Sequence, residues 1–164
     1  MKIQYPFGKP VLDRTENNEI KKILKSNILV HGPTTTKFEN LFKDYTKSKE
    51  AISVSSCTAG MHLVYFALDL GIGDEVIVPA QTHISTAHSV ELTGAKAVFV
   101  DCDLKTGNIK TSEIEKKINK KTKAIVLVHV LGNSVNMKKL KRIINKYKIK
   151  LIEDACESLG CKFE

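Results

Sequence analysis

Two short stretches of this chain carry residue types that could hold a charged ligand. The first, residues 55–60, is a run of small and hydroxylated residues that follows the apolar segment 51–54 and precedes a helical pattern. The second is Asp154, which follows the apolar pair Leu151 and Ile152. In an α/β sheet both would lie where strands end, at the edge that binds ligands. We therefore expect them to face one cleft, with an anion site at one end and an acid at the other.

Residues 55–60 have two interpretations. Small residues where a strand leads into a helix let backbone N–H groups converge on an anion, helped by the helix dipole, and the Thr58 hydroxyl could join them. The same composition is typical of an ordinary helix N-cap, a position that favours Ser and Thr. A phosphate site and a plain cap both remain open from the sequence.

Asp154 and His83 suggest a planar ligand that carries a positive charge. Because a carboxylate at the end of an apolar strand loses hydration, its burial costs free energy unless a cation pairs with it. A protonated ring nitrogen is one such cation, and a ring that holds this proton becomes an electron sink. A solvated or helix-capping acid is the alternative. His83, after the strand stopped by Pro79, could stack on the ring or cap a helix, and His129 is a further candidate for lining the cleft.

Length and composition are those of a globular domain, with 164 residues of which 42% are hydrophobic and 27% charged. The net charge is +8, but the lysines of 138–150 fall on the polar face of a predicted helix with few aromatics among them, so no nucleic-acid partner is expected. No apolar run reaches membrane-spanning length, and the first residues lack the apolar core of a secretion signal. A cytoplasmic protein without a membrane partner is therefore expected.

The four cysteines, Cys57, Cys102, Cys156 and Cys161, show no C-x-x-C spacing and no clustered His partner. A zinc site is therefore not expected, and no metal is assigned. Free thiols in a reducing compartment are the expectation instead.

The hydrophobic pattern predicts two helices followed by alternating strands and helices. A capping box at Asp13 and Glu16 opens a helix that runs to about Lys25, and a second helix covers 36–45. Strands are predicted over 51–54, 75–78, 97–100, 123–128 and 149–152, and helices over 59–70, 84–92, 112–118 and 136–147. Ser112 and Asn136 are the predicted caps of the last two helices. Short apolar strands separated by helices are typical of an α/β fold, a mainly parallel sheet with helices on both faces.

Four sequence blocks resemble the nucleotide-sugar aminotransferases of the DegT/DnrJ/EryC1/StrS family, a branch of the aspartate-aminotransferase fold that uses pyridoxal 5′-phosphate. They are GIGDEVIVP over 71–79, GAKAVFVD over 94–101, TKAIVLVH over 122–129 and IEDA over 152–155. The resemblance implies that 51–164 is a truncated part of that fold's large domain and that 1–50 is an N-terminal helical segment. It also implies a nucleotide-sugar substrate, an amino-acid donor and a homodimer.

The resemblance assigns cofactor-binding roles to five residues. Cys57, Thr58 and Ala59 match the turn that holds the cofactor phosphate through backbone N–H groups and the Thr hydroxyl. His83 matches the residue that stacks on the pyridine ring, and Asp154 matches the acid that pairs with the ring nitrogen.

The resemblance adds a sixth cofactor-binding residue and three substrate-binding residues. Glu157 matches a position near the phenolic oxygen of the ring that is usually Gln or His. A carboxylate there repels a phenolate unless one of the two is protonated or screened. Phe7, Gly8 and His31 match segments at the mouth of the substrate site.

The family's Schiff-base lysine lies in a Ser-Phe-containing segment that has no counterpart in this sequence. Because transamination needs that amine to hold the cofactor and to move a proton, we expect no turnover from this chain alone. The expected parent reaction transfers an amino group from glutamate to the keto group of a nucleotide-linked sugar, for polysaccharide or aminosugar biosynthesis. Two alternatives stay open: a pyridoxal-phosphate-dependent nucleotide-sugar 3-dehydratase, in which histidine replaces the lysine, and a non-enzymatic truncated remnant.

Overall fold

The computed structural model describes residues 9–163. Its internal contacts divide the chain into two compact units, Met1–Ser53 and Val54–Glu164. Phe7 and Gly8, two of the predicted substrate-site residues, lie outside the described residues. None of the helices within residues 9–163 has the length and apolar character needed to cross a membrane.

The first unit contains the two predicted helices, α1 (Arg14–Leu24) and α2 (Pro33–Thr46). The capping box of α1 is confirmed, since the Asp13 side chain accepts from the backbone near Glu16 and the Glu16 side chain accepts from the Asp13 N–H. Helix α2 begins at Pro33, earlier than predicted, because proline is pre-organised for the first helical position. His31 is exposed in the turn between the two helices.

The second unit alternates helices and strands around one parallel sheet. Its elements are α3 (Cys57–Ala67), β1 (Glu75–Pro79), α4 (Ile84–Glu91), β2 (Lys96–Val100), α5 (Thr111–Lys117), β3 (Thr122–Val128), a 3₁₀ turn (Val130–Gly132), α6 (Met137–Tyr147) and β4 (Lys150–Asp154). The strand order is β2-β1-β3-β4, and every neighbouring pair is parallel. The predicted α/β class with a parallel sheet is confirmed.

The sheet has an apolar core on each face. Successive residues of a strand point to opposite faces, so Val76 and Val126 belong to one core while Ile77 and Ile125 belong to the other. Met61 and Tyr65 of α3 and Val90 of α4 complete the first core, and Ile114 of α5 with Leu140 and Ile143 of α6 complete the second. Helices therefore cover both faces, which explains why the strands read as continuous apolar runs.

Two local predictions are wrong. The segment 51–54 forms no strand; both the N–H and the hydroxyl of Ser53 donate to Glu39 Oε1, each at 2.8 Å, so a side chain takes the donor that a sheet would need. Helix α5 begins at Thr111 after Lys110 and has no side-chain cap, so Ser112 lies inside the helix. The predicted cap of α6 is confirmed, because the Asn136 side chain accepts from the N–H of Lys139.

Candidate functional site

A cleft of about 530 Å³ lies at the carboxyl edge of the sheet. It is formed by the start of α3, the segment that follows β1, the end of β3 with the turn after it, and the end of β4. The lining residues are Cys57, Thr58, Gln81, Thr82, His83, Ser85, Val128, Val130, Leu131, Asp154, Cys156 and Glu157. This is the edge at which parallel α/β sheets bind their ligands.

Asp154 ends β4 and is buried at 6% exposure. Its Oδ2 accepts a hydrogen bond from the Thr86 hydroxyl at 3.1 Å, while Oδ1 accepts from the Cys156 N–H at 3.3 Å and faces the Cys57 Sγ at 3.6 Å. None of the ion pairs among residues 9–163 includes Asp154. A buried carboxylate without a cation is costly, so this site favours a positively charged ligand.

The start of α3 carries the partial positive charge of a helix N-terminus, opposite in sign to the Asp154 carboxylate. Ser56 caps the helix by accepting from the Ala59 N–H at 3.2 Å, and the Gly60 N–H donates to the Ser56 carbonyl oxygen at 3.0 Å. The N–H groups of Cys57 and Thr58 have no acceptor within the described chain, as is typical of the first helical turn. The cap and the anion site are thus compatible, with the cap occupying the Ala59 N–H and two other N–H groups left for an anion. The 3.6 Å contact of Cys57 with Asp154 places both predicted features in one cleft.

His83 is both a helix cap and a cleft residue. Its Nδ1 accepts from the Ser85 N–H at 3.2 Å and lies 2.7 Å from the Ser85 Oγ, which restricts the orientation of the imidazole ring. Glu157 is held from the other side of the cleft, where its Oε2 accepts from the Leu131 N–H at 2.9 Å. Leu131 adopts a left-handed conformation with φ of 50°, so the donor of this bond lies in the tight turn after β3.

The interpretation of His129 as a cleft residue is wrong. The residue is buried, and the Val135 N–H donates to its Nδ1 at 3.1 Å. Because Nδ1 accepts, the neutral ring carries its proton on Nε2, which lies 3.1 Å from Glu153 Oε2. Both ring nitrogens are therefore occupied by the scaffold, and the cleft wall is formed by Val128 and Val130 instead.

Sequence reasoning missed two features of the site. Thr86 is fully buried on α4. The one clue in the sequence was that a polar residue occupies the face of this helix that packs against the core. Cys57, Cys156 and Asp154 bring two sulfurs and a carboxylate oxygen within 4.8 Å of one another, although no short motif links the two cysteines.

Burial in this region favours the neutral forms of nearby side chains. It raises the pKa of the Cys57 thiol, and it raises the pKa of the Cys156 thiol to about 12, with hydrogen bonding to Cys57 and Asp154 adding to the effect. Burial and the Asp154 carboxylate likewise raise the pKa of the Tyr65 phenol. The side chains of Cys57, Cys156 and Tyr65 near Asp154 are therefore favoured in their uncharged forms.

The sequence model of the DegT/DnrJ/EryC1/StrS aminotransferase family matches residues 10–164. The chain belongs to this family. It is 43% identical over 159 residues to an uncharacterised protein of Methanocaldococcus jannaschii and 38% identical over 159 residues to the UDP-4-amino-4-deoxy-L-arabinose–oxoglutarate aminotransferase of Shewanella sediminis. Each of these alignments covers 97% of this chain.

Solved structures of the same fold hold the family's cofactor. The GDP-4-keto-6-deoxy-D-mannose-3-dehydratase of E. coli, solved with bound hydrated pyridoxal phosphate, superposes with a TM-score of 0.93 and 34% identity over 99% of this chain. The chain spans 41% of the length of both curated relatives and 43% of the dehydratase.

Proposed function

We propose that this chain forms the cofactor-binding part of a pyridoxal-phosphate-dependent aminotransferase that acts on a nucleotide-linked keto-sugar. The observation that carries the proposal is Asp154, a buried carboxylate without a cationic partner in residues 9–163 that opens onto a cleft of small-ligand size. A protonated pyridine nitrogen would supply the missing positive charge. When bound, the cofactor supplies an electron sink for the bonding electrons of a substrate carbon.

The described residues fit each end of such a cofactor. The N–H groups of Cys57 and Thr58, with the Thr58 hydroxyl, would bind the phosphate at the start of α3. Asp154 would hold the proton on the ring nitrogen, and the Thr86 hydroxyl would keep that carboxylate in place. The His83 imidazole, restrained by Ser85, would stack on the ring face.

Glu157 is proposed to lie near the phenolic oxygen of the cofactor. A carboxylate there would repel a phenolate, but the Leu131 N–H already donates to Glu157 Oε2 and partly screens its charge. Ala59 would contribute through the first turn of α3, since its N–H already donates to the Ser56 side chain and is not free for the phosphate.

The remaining parts of the proposal follow from family membership. The donor would be glutamate, because the Shewanella relative is an oxoglutarate aminotransferase, and the product would enter polysaccharide or aminosugar biosynthesis. We also propose that the protein is a homodimer and that it is cytoplasmic, in keeping with its free cysteines. We propose a division into an N-terminal segment, 1–50, and a partial large domain, 51–164. Phe7, Gly8 and His31 are proposed to lie at the substrate entrance.

We further propose that this chain alone does not catalyse transamination. No lysine lines the cleft within the described part of the chain, and the reaction needs an amine at the cofactor carbon to hold it and to move the substrate proton. A 3-dehydratase is the second candidate for the parent reaction, favoured by the similarity to the E. coli enzyme. Mass spectrometry of the sugar product separates the two, because amino transfer introduces a nitrogen atom into the sugar, whereas a 3-dehydratase removes the C3 hydroxyl and introduces no nitrogen.

Titration of the purified chain with pyridoxal phosphate, followed by absorbance and by equilibrium dialysis, tests the cofactor proposal. Asp154→Asn removes a charged hydrogen-bond partner worth about 1.5–3 kcal/mol, so affinity should fall by about 10- to 150-fold. Asp101→Asn is the matched control, since Asp101 follows β2 at the same sheet edge but does not line the cleft. Equal affinities of the wild type and Asp154→Asn would refute the proposed ring contact.

Covalent trapping tests the inactivity proposal separately. Borohydride reduction of the chain with pyridoxal phosphate, followed by peptide mapping, should label surface lysines weakly and none stoichiometrically. Stoichiometric labelling of one lysine, with production of an amino-sugar from glutamate and a keto-sugar nucleotide, would contradict it.

A further inference from the structure

The start of α3 and the segment after β4 bring together three side chains that can coordinate a metal. The Sγ atoms of Cys57 and Cys156 and a carboxylate oxygen of Asp154 all lie within 4.8 Å of one another. Within residues 9–163 this is the only such group of three. All three residues line the same open cleft.

We propose that Cys57, Cys156 and Asp154 form a binding site for a thiophilic divalent cation of the Zn²⁺ class. Two thiolates and one carboxylate favour Zn²⁺ and its analogues over Mg²⁺ or Ca²⁺, which prefer oxygen ligands. Three protein ligands leave a fourth tetrahedral position, and the cleft gives water access to it. The spacing of the cysteines in the sequence argued against a zinc site, but the fold brings Cys57 and Cys156 close to each other and to Asp154.

The distances fit this coordination with little rearrangement. A tetrahedral ion at about 2.3 Å from sulfur and about 2.0–2.2 Å from a carboxylate oxygen separates those two ligand atoms by about 3.5–3.7 Å. The Cys57 Sγ and the Asp154 Oδ1 are 3.6 Å apart. The same geometry requires about 3.8 Å between two sulfurs, which is within the 4.8 Å limit observed for the cluster.

The scaffold already orients the carboxylate toward the sulfurs. The Thr86 hydroxyl donates to Asp154 Oδ2, while Oδ1 accepts from the Cys156 N–H and lies 3.6 Å from the Cys57 Sγ. Outer hydrogen bonds of this kind fix the ligands of metal sites and raise their affinity. Coordination would release the proton of each thiol to solvent, and the cation would compensate the buried charge of Asp154.

The metal site does not depend on the proposed cofactor, although the two ligands would share Asp154. Cobalt(II) is the probe, because thiolate ligands give it an intense charge-transfer band and a tetrahedral site gives it strong visible bands. The reduced, metal-free chain is titrated with Co²⁺ without pyridoxal phosphate, and Zn²⁺ is then added to displace the cobalt. Cys57→Ser and Cys156→Ser are compared with Cys161→Ser, a matched control at an exposed cysteine outside the cleft.

We expect one Co²⁺ per chain with a charge-transfer band. Because the intensity of this band scales with the number of thiolate ligands, each of Cys57→Ser and Cys156→Ser should reduce it by about half. The spectrum of Cys161→Ser should be unchanged. Asp154→Asn should weaken Co²⁺ binding more than tenfold while both thiolate contributions remain. Circular dichroism shows that each variant is folded. The absence of a charge-transfer band in the wild type, or a band of undiminished intensity in both Cys57→Ser and Cys156→Ser, overturns the proposal.

Discussion

Thr86→Val tests the most specific contact of the site, the hydrogen bond that supports the buried carboxylate. Thr86 is fully buried, its hydroxyl lies 3.1 Å from Asp154 Oδ2, and the Thr82 hydroxyl lies 2.8 Å from it. Valine has nearly the same shape and lacks the hydroxyl. The substitution therefore leaves Asp154 Oδ2 without its donor and creates little empty space.

The expected loss follows from the kind of hydrogen bond removed. A hydrogen bond to a charged group contributes about 1.5–3 kcal/mol, and a buried acceptor left unpaired carries its full desolvation penalty. The Thr82 hydroxyl also loses a partner, but it is only partly buried and water can replace that bond. We expect the free energy of unfolding to fall by about 2 kcal/mol.

Urea denaturation measures this loss. With a slope of about 1–3 kcal/mol per molar urea, a loss of about 2 kcal/mol moves the midpoint by about 1 M and leaves the slope unchanged. Thr82→Val is the matched control, because it removes the bond between the two threonines and keeps the bond to Asp154. A double-mutant cycle with Asp154→Asn isolates the pair and should give a coupling of about 1–2 kcal/mol.

Two results would refute the reasoning. One is a loss below about 0.5 kcal/mol in Thr86→Val, which is the range of ordinary surface substitutions. The other is an equal loss in the wild-type and Asp154→Asn backgrounds, which would show that the hydroxyl acts through packing and not through the carboxylate.

Three further predictions follow from other parts of the structure. Because the pKa of Tyr65 is raised, the folded chain binds the phenol proton more tightly than the unfolded chain. The free energy of unfolding should therefore fall as the pH rises above about 10, the ordinary tyrosine value. Tyr65→Phe should reduce this pH dependence in denaturation curves and should remove the phenol that ionises at the highest pH in an absorbance titration. Co²⁺ should weaken pyridoxal-phosphate binding in dialysis in proportion to its occupancy, and an unchanged affinity at saturating Co²⁺ would show that the two ligands do not share Asp154. Asn136→Ala should cost about 1 kcal/mol in urea denaturation through loss of the α6 cap, whereas Asn145→Ala on the same helix should not; equal effects would argue against the cap.

The local parts of the fold were predictable from the sequence because their causes are local. The capping residues Asp13 and Asn136 bond to backbone groups within three residues of themselves, and the apolar runs that became β1 and β3 are buried on both faces. The strand predicted over 51–54 was wrong because strand formation depends on a partner that is distant in the sequence. Its apolar character is typical of a strand, but a strand exists only with a hydrogen-bonded neighbour, and Glu39 takes the donors of Ser53 instead.

The candidate site was likewise predictable only where its features have local causes. The small residues at 55–60 and the acid after Leu151 and Ile152 were recognisable in the sequence, because the ends of parallel strands meet at one edge and a helix start binds anions wherever it lies. The occupation of both His129 nitrogens was not recognisable, since the partners Val135 and Glu153 come from a loop and a neighbouring strand.

Apart from the segment 51–54, composition and periodicity alone thus determined the order of the helices and strands, the parallel sheet and the general position of a ligand cleft. Only the tertiary structure decided which side chains meet in that cleft: Thr86 beneath Asp154, and two cysteines from distant parts of the chain beside it. The physical reason is that a hydrogen bond or a metal ligand set depends on distances of a few ångströms, and those distances are set by how β4, α3 and α4 pack together.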